Sequence, residues 1–489
     1  DFNHPSIIAW VNFNETWGIG DGEYDMPWRE WTRDMYHLTK QLDPTRLVED
    51  NSPCYYDHVD TDINSWHFYI DDIQKAREHI ANVVANTFPG SQFNFAEGWR
   101  QGTQPLINSE YGGVSAGSGD RDISWVFIHL TNLLRMYDQI GGYIYTELTD
   151  IEWEHNGFAN YDRSSKTYNY PAGITLAQLQ DADFAVLNVA PYQRVSPGDS
   201  VVIPVLLSHW SERDNLELRY SVDGQSVDGR PWSDWVPSST MEAAGAPFRT
   251  TAQAPFAFTA PDATGLLYVV VEVLHEGQRV AANYCVVDVR DGSMWPDTYR
   301  ATFAVNNFSG TSFGEETKTT PPEHAKFSGF GAGYVEYKVT LPDAPAAQII
   351  SSGRLIVELG ARANRELVDW PERVKPQDYP QTQERKRSTR VEVSLNGIVL
   401  DTVDVETDFA DAQGVLSHVQ HYHHGSHGRI VDLPLTDAAL DAVRKALDGN
   451  TDLTLRFETA GDSDGGIAIY GNNMGAWPLD PMLVLDVKD

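Results

Sequence analysis

The sequence predicts a multidomain chain in which an α/β part with a parallel sheet precedes two all-β domains. Residues 3–170 alternate short apolar runs with amphipathic stretches at a repeat of about thirty residues, which is typical of a barrel or a doubly wound sheet. From Phe184 onward, long alternating strands follow one another without helices, a pattern typical of β-sandwiches. We therefore predict domains at residues 1–180, 181–292 and 293–489.

The α/β part contains five strand–helix steps. Apolar runs bounded by polar residues predict strands at Ile7–Val11, from Leu47, at Ile63–Tyr69, from Leu106 and at Tyr143–Tyr145. Apolar residues at helical spacing predict helices at Met26–Leu42, Asp71–Phe88 and 123–137. The run Ile7–Val11 has the composition of a strand that is buried on both faces.

The two later domains are predicted from strands and turns. Four strands indicate an immunoglobulin-like sandwich: Val201–Leu207, Leu216–Val222, Leu267–Leu274 and Val280–Val289. In the last domain, Asn396-Gly397 is typical of a type I′ hairpin, and a helix from Asp437 to Leu447 is expected to end at Gly449. The segment Ala361–Thr389, rich in Pro, Gln and charge, predicts an extended loop.

Composition argues against two classes of partner. Asp and Glu total 70 against 36 Lys and Arg, a net charge of −34, which disfavours nucleic acid and anionic membranes because phosphates are bound by Lys and Arg. No apolar run approaches the roughly 18 residues that span a bilayer.

Cys54 and Cys285 fit neither a disulfide framework nor a metal site, so we predict two free thiols. No cofactor is predicted; the location is unassigned, with a secreted or periplasmic one slightly favoured.

Two strands end in residues that resemble a known family. Residues 3–15, Asn-His-Pro-Ser-Ile-Ile-Ala-Trp-Val-Asn-Phe-Asn-Glu, resemble the acid/base strand of glycoside hydrolase family 2, which includes β-galactosidases, β-mannosidases and β-glucuronidases. Pro-Leu-Ile-Asn-Ser-Glu-Tyr-Gly-Gly, at 105–113, is similar to its nucleophile strand. The resemblance implies strands four to eight of a (β/α)8 TIM barrel, then an immunoglobulin-like sandwich and a galactose-binding-like jelly roll.

The resemblance also implies a reaction. Hydrolysis of a glycoside with retention uses two carboxyl groups roughly 5–5.5 Å apart, one protonated and one ionised. Glu110 would attack the anomeric carbon as the nucleophile, while Glu15 would protonate the leaving oxygen and later activate water. The flanking residues select this pair, because spacing alone leaves four other carboxyl groups that end strands: Glu49, Asp50, Glu147 and Asp150.

The same resemblance assigns sugar-binding residues. Asn14 would bond the 2-hydroxyl of the sugar, and Tyr69 would hold the nucleophile by a hydrogen bond. His67 would bind a sugar hydroxyl, with a structural histidine as the alternative, and Tyr145 occupies the position where the family usually has Trp at the floor of the donor subsite. Three tryptophans could form a platform for the pyranose ring or only pack the loops: Trp17, Trp66 and Trp153.

Five histidines lie within ten residues, between His418 and His427. Neither a helix nor a carboxylate at fixed spacing orders them, so a solvated loop is favoured over a metal centre. We predict no metal site.

A closed barrel has eight strands, and five can be counted before the β domains begin. We expect this chain alone to expose two apolar sheet edges, to aggregate and to be weakly active or inactive, because it would need the missing N-terminal barrel half in cis.

The sequence thus predicts a retaining exo-β-glycosidase that acts on the chain ends of oligosaccharides or polysaccharides. Two alternatives remain open: an endo-acting retaining β-glycanase and a non-catalytic carbohydrate-binding protein. The sequence does not identify the sugar.

Overall fold

The structure is a computed structural model. It describes residues 3–20, 23–53, 55, 57–70, 72–112, 124–151, 154, 156–159, 162–165, 170–227, 231–290, 298–313, 315–318, 325–362, 389–405, 428–461, 463, 465–472, 475, 477 and 479–488. The α-helices of this part of the chain are α1 (Met26–Leu42), α2 (Ile73–Asn86), α3 (Ser124–Arg135), α4 (Leu176–Leu179) and α5 (Asp437–Gly449). Short 3-10 helices occupy Thr16–Gly18, Pro171–Gly173 and Ala347–Ile349.

The strands of the first two predicted domains are β1 (Ala9–Val11), β2 (Leu47–Glu49), β3 (Asn64–Phe68), β4 (Leu106–Tyr111), β5 (Ile140–Tyr145), β6 (Asp183–Leu187), β7 (Tyr192–Val195), β8 (Ser200–Ile203), β9 (Val205–His209), β10 (Glu217–Ser226), β11 (Pro231–Glu242), β12 (Arg249–Ala252), β13 (Phe256–Thr259), β14 (Gly265–His275) and β15 (Gln278–Val289). Those of the third are β16 (Thr298–Thr302), β17 (Gly310–Thr311), β18 (Glu315–Lys318), β19 (Lys326–Phe330), β20 (Tyr334–Val339), β21 (Ile350–Arg362), β22 (Thr389–Leu395), β23 (Ile398–Val405), β24 (Arg429–Pro434), β25 (Leu453–Thr459), β26 (Gly466–Tyr470) and β27 (Met482–Val487).

Parallel strands connected by helices form the α/β part, as predicted. Strand β1 pairs with β2 in parallel, and β3, β4 and β5 form a parallel sheet in that order. Backbone hydrogen bonds continue from one group to the other at the carboxyl ends: Glu15 N–H donates to the Ser52 carbonyl at 2.9 Å, and His67 N–H donates to the Pro53 carbonyl at 3.1 Å. The carboxyl ends of these strands therefore meet on one side of the sheet.

The first strand is not buried on both faces, which corrects the prediction for Ile7–Val11. Ile8 is 81% exposed and Val11 is 53% exposed, because β1 has a hydrogen-bonded neighbour only on the β2 side among the described residues. In the three-stranded sheet, Ile144 of the edge strand β5 is 59% exposed. Strands β1 and β5 thus both present apolar side chains at a sheet edge, as expected from a count of five strands.

The α/β part and the strands after it share one buried cluster, which runs from Trp66 to Val289. Arg135 at the end of α3 donates to the carbonyl of Ala182 at 2.6 Å and lies over the Phe184 ring at 4.9 Å. The predicted strand Val201–Leu207 is two strands, β8 and β9, because Pro204 has no N–H for a ladder and interrupts it. The immunoglobulin-like assignment and the domain boundaries stay predictions.

In the third predicted domain, two sheets enclose a second buried cluster. Leu359 and Ile469 of the seven-stranded sheet contribute to it, as do Val391 and Phe457 of the five-stranded sheet. Positive φ angles at Asn396 (49°) and Gly397 (77°) make the predicted hairpin turn between β22 and β23. Helix α5 ends at Gly449, as predicted, and its C-cap is Asn450 in the left-handed conformation.

The jelly-roll assignment stays a prediction. Most of Ala361–Thr389, the cluster His418–His427 and Cys54 lie outside the described residues. Among the described helices, each is too short or too polar to cross a bilayer.

Cys285 should be unreactive in the folded protein. Its side chain is buried on β15, and burial raises the pKa of its thiol to about 12. Because the thiolate is the reactive form, we expect iodoacetamide to leave Cys285 unmodified at neutral pH and to alkylate it after denaturation. Peptide mass spectrometry checks this residue separately from Cys54, and rapid alkylation of Cys285 in the native protein would contradict the buried position.

Candidate active site

The candidate site lies where the carboxyl ends of the parallel strands meet. Glu15 follows β1 and has a φ of 56°, an uncommon value for a residue with a side chain. Its backbone is bonded to Ser52, which follows β2. His67 belongs to β3 and Glu110 to β4, where the two residues are register partners. Four consecutive strands therefore supply or support the side chains of one site.

Glu15 and Glu110 face each other across His67. The Nδ1 atom of His67 lies 3.1 Å from Glu15 Oε1 and 3.5 Å from Glu110 Oε2. One oxygen of each carboxylate and one nitrogen of the histidine all lie within 4.8 Å of one another. Both carboxyl groups are partly exposed, whereas the His67 side chain is fully buried. This separation suits two carboxyl groups that act on opposite sides of one glycosidic bond with retention.

The Tyr69 hydroxyl donates a hydrogen bond to Glu110 Oε2. Burial raises the pKa of the Tyr69 hydroxyl, and the neighbouring Glu110 carboxylate raises it further. The phenol therefore stays protonated at neutral pH and remains a donor. This contact is the one that the family resemblance implies for Tyr69.

Trp17 contacts Glu15 directly. Its indole Nε1–H donates to Glu15 Oε2, and its side chain is 70% exposed. The ring is therefore available to a ligand while its N–H orients the carboxyl group. Asn14 is exposed beside it and pairs with Ser52 through a single backbone bridge; its predicted contact with a sugar hydroxyl stays a prediction.

Two predicted roles are corrected by burial. Trp66 is 4% exposed and belongs to the same buried cluster as Ile80 and Leu130, because alternate side chains of β3 point to opposite faces of the sheet. It cannot stack on a sugar.

His67 is predicted to bind a sugar hydroxyl, but its Nδ1 faces the two carboxylates and its Nε2 lies 2.8 Å from Ser52 Oγ. Both ring nitrogens are therefore occupied within the protein.

Tyr145 lies in an aromatic cluster next to the site. Its ring stacks on Phe158 with centroids 4.2 Å apart, and its hydroxyl donates to the Asn156 carbonyl at 2.9 Å. Gly112, with a φ of 93°, passes so close that an added Cβ would lie 2.3 Å from the Tyr145 ring, so a side chain at 112 would displace the ring. The predicted subsite role of Tyr145 stays a prediction, and Trp153 lies outside the described residues.

A layer of polar residues beneath the carboxyl pair was not predicted as part of the site. Ser52 Oγ contacts Ser109 Oγ at 2.9 Å as well as His67, and Ser65 Oγ donates to Glu49 Oε1. Next to them, Asp50 and His58 form a fully buried pair with 2.7 Å between Oδ1 and Nδ1. The only signal in the sequence was that Glu49 and Asp50 end a strand, which does not reveal which side chains they meet.

Among the described residues, Glu15, His67 and Glu110 are also the one group of acidic and histidine side chains close enough to share a cation. A histidine and two carboxylates are ligands that several divalent ions accept. The same two carboxyl groups are those for which the sequence predicts a catalytic role, and the predicted absence of a metal site stays a prediction.

If Glu110 is the nucleophile that the sequence predicts, replacing Tyr69 with Phe should lower kcat by about 10-fold to 100-fold, since a hydrogen bond to a charged group is worth about 1.5–3 kcal/mol. The variant keeps the ring and removes only the donor that holds Glu110. Steady-state kinetics on an aryl glycoside would measure the change, with the exposed Tyr55→Phe variant as the matched control. An unchanged kcat would show that the Tyr69 hydroxyl does not support the nucleophile.

Comparison with known proteins gives one family match. Residues 1–180 match the family described as "Glycosyl hydrolases family 2, TIM barrel domain". No curated protein matches the sequence.

Several solved structures share low similarity with the chain. They include Bacteroides uniformis β-glucuronidase 2 covalently bound to cyclophellitol-6-carboxylate aziridine (13% identity, TM-score 0.29, covering 99% of this chain and 54% of that chain). Parabacteroides merdae β-glucuronidase with glycerol in its active site has 11% identity and a TM-score of 0.30, covering 95% and 49%. A glycosyl hydrolase family 2 member from Bacteroides cellulosilyticus has 11% identity and a TM-score of 0.24, covering 99% and 49%. The chain thus spans about half the length of these proteins.

Proposed function

We propose that the protein is a retaining exo-β-glycosidase that hydrolyses terminal glycosides by double displacement. The match of residues 1–180 to the family described as "Glycosyl hydrolases family 2, TIM barrel domain" supports this proposal. The observation that carries the proposal is the pair Glu15 and Glu110, whose carboxylate oxygens approach within 4.8 Å. Two carboxyl groups at this separation leave room for a glycosidic bond but not for an additional water on the far side of the sugar, as inversion would need.

Glu110 is the nucleophile in this proposal. It is partly exposed, the Tyr69 hydroxyl donates to its Oε2, and His67 Nδ1 lies 3.5 Å from the same oxygen. The contacts on Oε2 leave Oε1 to attack the anomeric carbon.

Glu15 is the acid and then the base. Its side chain is partly exposed at the mouth, with Trp17 Nε1–H on Oε2 and His67 on Oε1. In the first step it gives its proton to the leaving oxygen, and in the second it takes a proton from the water that hydrolyses the glycosyl-enzyme.

We further propose that turnover needs more barrel strands on the same polypeptide. Strands β1, β2, β3 and β5 each have a paired strand on one side only among the described residues, whereas a closed barrel has eight strands. Residues 1–489 alone should therefore be weakly active and prone to associate through the apolar edge side chains Ile8, Val11 and Ile144. A monomeric preparation of 1–489 with the full turnover of the natural polypeptide would contradict this.

The experiment that tests the function is covalent trapping. The natural full-length polypeptide is incubated with a panel of 2,4-dinitrophenyl 2-deoxy-2-fluoro-β-glycosides, including the galactoside, mannoside and glucuronide. We expect one member to inactivate the protein with a burst of one dinitrophenolate and to leave a fluoroglycosyl adduct on Glu110, detected by peptide mass spectrometry. An adduct on another carboxylate would overturn the assignment, and turnover with inverted anomeric configuration, measured by proton NMR, would overturn the mechanism. Release of oligosaccharides rather than monosaccharides from a natural glycan would contradict exo action.

A further inference from the structure

We propose that Asn108 is a positioning residue for Glu110: its side-chain amide holds a bulge in β4 that turns Glu110 toward Glu15. The effect on turnover rests on the proposed function, whereas the geometry of the bulge does not. The two can therefore be tested separately.

Strand β4 contains one additional residue where it enters the site. Trp66 of β3 is the register partner of Asn108. The next residue of β3, His67, is already the partner of Glu110. The pairing of β4 with β5 is shifted in the same stretch. Ser109 is therefore inserted between two paired residues, as in a β-bulge.

The bulge places two consecutive side chains of β4 on the same face of the sheet. Ser109 Oγ accepts a hydrogen bond from Ser52 at 2.9 Å beneath the carboxyl pair, and Glu110 lies beside His67 in the site. Consecutive residues of a regular strand point to opposite faces. The alternation resumes at Tyr111, whose hydroxyl contacts α3 on the helix-facing side at 2.7 Å.

Without the additional residue, Glu110 would face the core. A regular register would make Ser109 the partner of His67 and Glu110 the partner of Phe68. The Phe68 ring belongs to the buried cluster and stacks on Tyr111 with centroids 6.3 Å apart. A slip of one residue moves a side chain to the other face of the sheet, so the carboxylate would be directed into apolar side chains and away from the site.

Asn108 spans the bulge with its side-chain amide. Its Nδ2 donates to the Trp66 carbonyl at 2.8 Å and to the Glu110 carbonyl at 3.1 Å. An amide NH₂ group has two N–H donors, and both are used here, one on each strand. Because a bulge disrupts the ladder locally, these two bonds tie β3 to β4 at the point where their regular pairing is shifted.

The surroundings of Asn108 support a role as a donor. Its side chain is fully buried, so solvent does not replace the amide in these bonds. Among the described residues, its Oδ1 has no hydrogen-bond partner. A buried polar group costs free energy unless it is bonded, so an apolar residue of similar size would fill the same space at lower cost. The two N–H donors are what such a residue could not supply.

The position of Glu110 matters for its attack on the anomeric carbon. A displacement of about 1 Å in a reacting group can lower the rate by about 10²-fold. The Tyr69 hydroxyl holds the carboxylate of Glu110, and Asn108 holds its backbone. Asn108 acts through that backbone and not on the substrate.

Three variants of the natural full-length polypeptide test the proposal. Asn108→Leu keeps a similar size and removes both donors, and Asn108→Asp keeps the shape with at most one donor in either protonation state. Asn64→Leu is the matched control. Asn64 is also fully buried and donates from Nδ2 to Gln101 at 2.7 Å, but it lies at the amino end of β3, away from the bulge.

Crystal structures measure the geometry independently of activity. In Asn108→Leu, we expect the Glu110 carboxylate to move by about 1 Å or more relative to Glu15, whereas Asn64→Leu should leave it in place. An unmoved carboxylate in both Asn108 variants would overturn the proposal. A wild-type structure with Ser109 and Glu110 on opposite faces would overturn it even if Asn108→Leu fails to fold.

The kinetic arm uses the fluoroglycoside that traps the wild type. The amplitude of the dinitrophenolate burst counts the competent sites, and its rate measures attack by Glu110. Per competent site, we expect Asn108→Leu to react about 10-fold to 100-fold more slowly than the wild type, Asn108→Asp at least about fivefold more slowly, and Asn64→Leu within about twofold.

The burst separates positioning from stability. A lower amplitude at the wild-type rate would assign Asn108 a merely structural role and overturn the proposal. Absence of trapping in the wild type would instead contradict the proposed function and leave the crystallographic result to decide the role of Asn108.

Discussion

Replacing Glu110 with Gln should lower kcat by on the order of 10⁴-fold to 10⁶-fold, the loss typical when the attacking group of a catalytic set is removed. Glutamine keeps the size of the side chain but cannot form the glycosyl ester, and the donors Tyr69 and His67 then face an amide in place of a carboxylate. Steady-state kinetics with the best aryl glycoside from the trapping panel would measure the loss.

Two other variants separate this effect from a general disturbance. Glu97→Gln changes an exposed carboxyl group outside the site and should keep the wild-type kcat. Glu15→Ala should slow a substrate with a poor leaving group by on the order of 10²-fold to 10⁴-fold, and azide should restore turnover with formation of the β-glycosyl azide. Substantial activity in Glu110→Gln would remove Glu110 from the nucleophile role.

Replacing Asp183 with Asn should destabilise the protein by about 3 kcal/mol. The substitution removes the negative charge of a buried carboxylate, and the side chains that contact it lose their charged partner. Asp183 on β6 is fully buried, and its carboxylate meets His209 Nδ1 at 2.6 Å and Arg213 Nη1 at 2.9 Å, with Ser211 Oγ donating at 2.6 Å. At about 2–4 °C per kcal/mol, Tm should fall by about 6–12 °C. Differential scanning calorimetry at pH 7 measures the shift.

The difference in Tm between Asp183→Asn and the wild type should depend on pH. Burial by itself raises the pKa of Asp183, but the hydrogen bonds from Ser211, His209 and Arg213 outweigh it and hold the pKa below its ordinary value of 3.8. The folded pKa is thus below the unfolded one, so the stabilisation is present above the unfolded pKa and is lost as the pH falls through the folded pKa. The gap in Tm should stay constant from neutral pH to about 5 and narrow below about 4.

Asp214→Asn, at an exposed position of the same segment, is the matched control and should leave Tm unchanged. An equally small shift for Asp183→Asn would mean that the buried carboxylate adds no net stability. A gap that widened in acid would contradict the sign of the pKa shift.

Local patterns predicted much of the secondary structure. The predicted bounds of the first helix, Met26–Leu42, are those of α1, because its apolar spacing and the following Pro44 act within the segment itself. The Asn396-Gly397 turn was predictable for the same reason, since its two positive φ angles depend on residue type. Pro204 divides the predicted strand Val201–Leu207 because proline has no N–H for a ladder. The apolar alternation of the segment predicts a single strand in spite of it.

The chemistry of the site was predictable only in part. The residues that flank Glu15 and Glu110 pointed to the pair, and Tyr69 contacts Glu110 as the resemblance implied. The partners of His67 were not predictable, because they come from three separate strands and one of them is a serine, a residue type with no distinctive pattern. Trp66 could be assigned to the core only once the face of β3 that meets α2 and α3 was known.

The sequence by itself determined which segments form helices or strands and which two carboxyl groups are the candidates for catalysis. Periodicity, turn chemistry and flanking motifs are local properties of the sequence. The tertiary structure alone decided that those carboxyl groups approach within 4.8 Å, that the His67 side chain is buried, and that Ser52 and Ser109 lie beneath it in a buried polar layer. The distance between two side chains, their burial and the direction of a hydrogen bond depend on which strands become neighbours. Local sequence patterns do not determine that pairing.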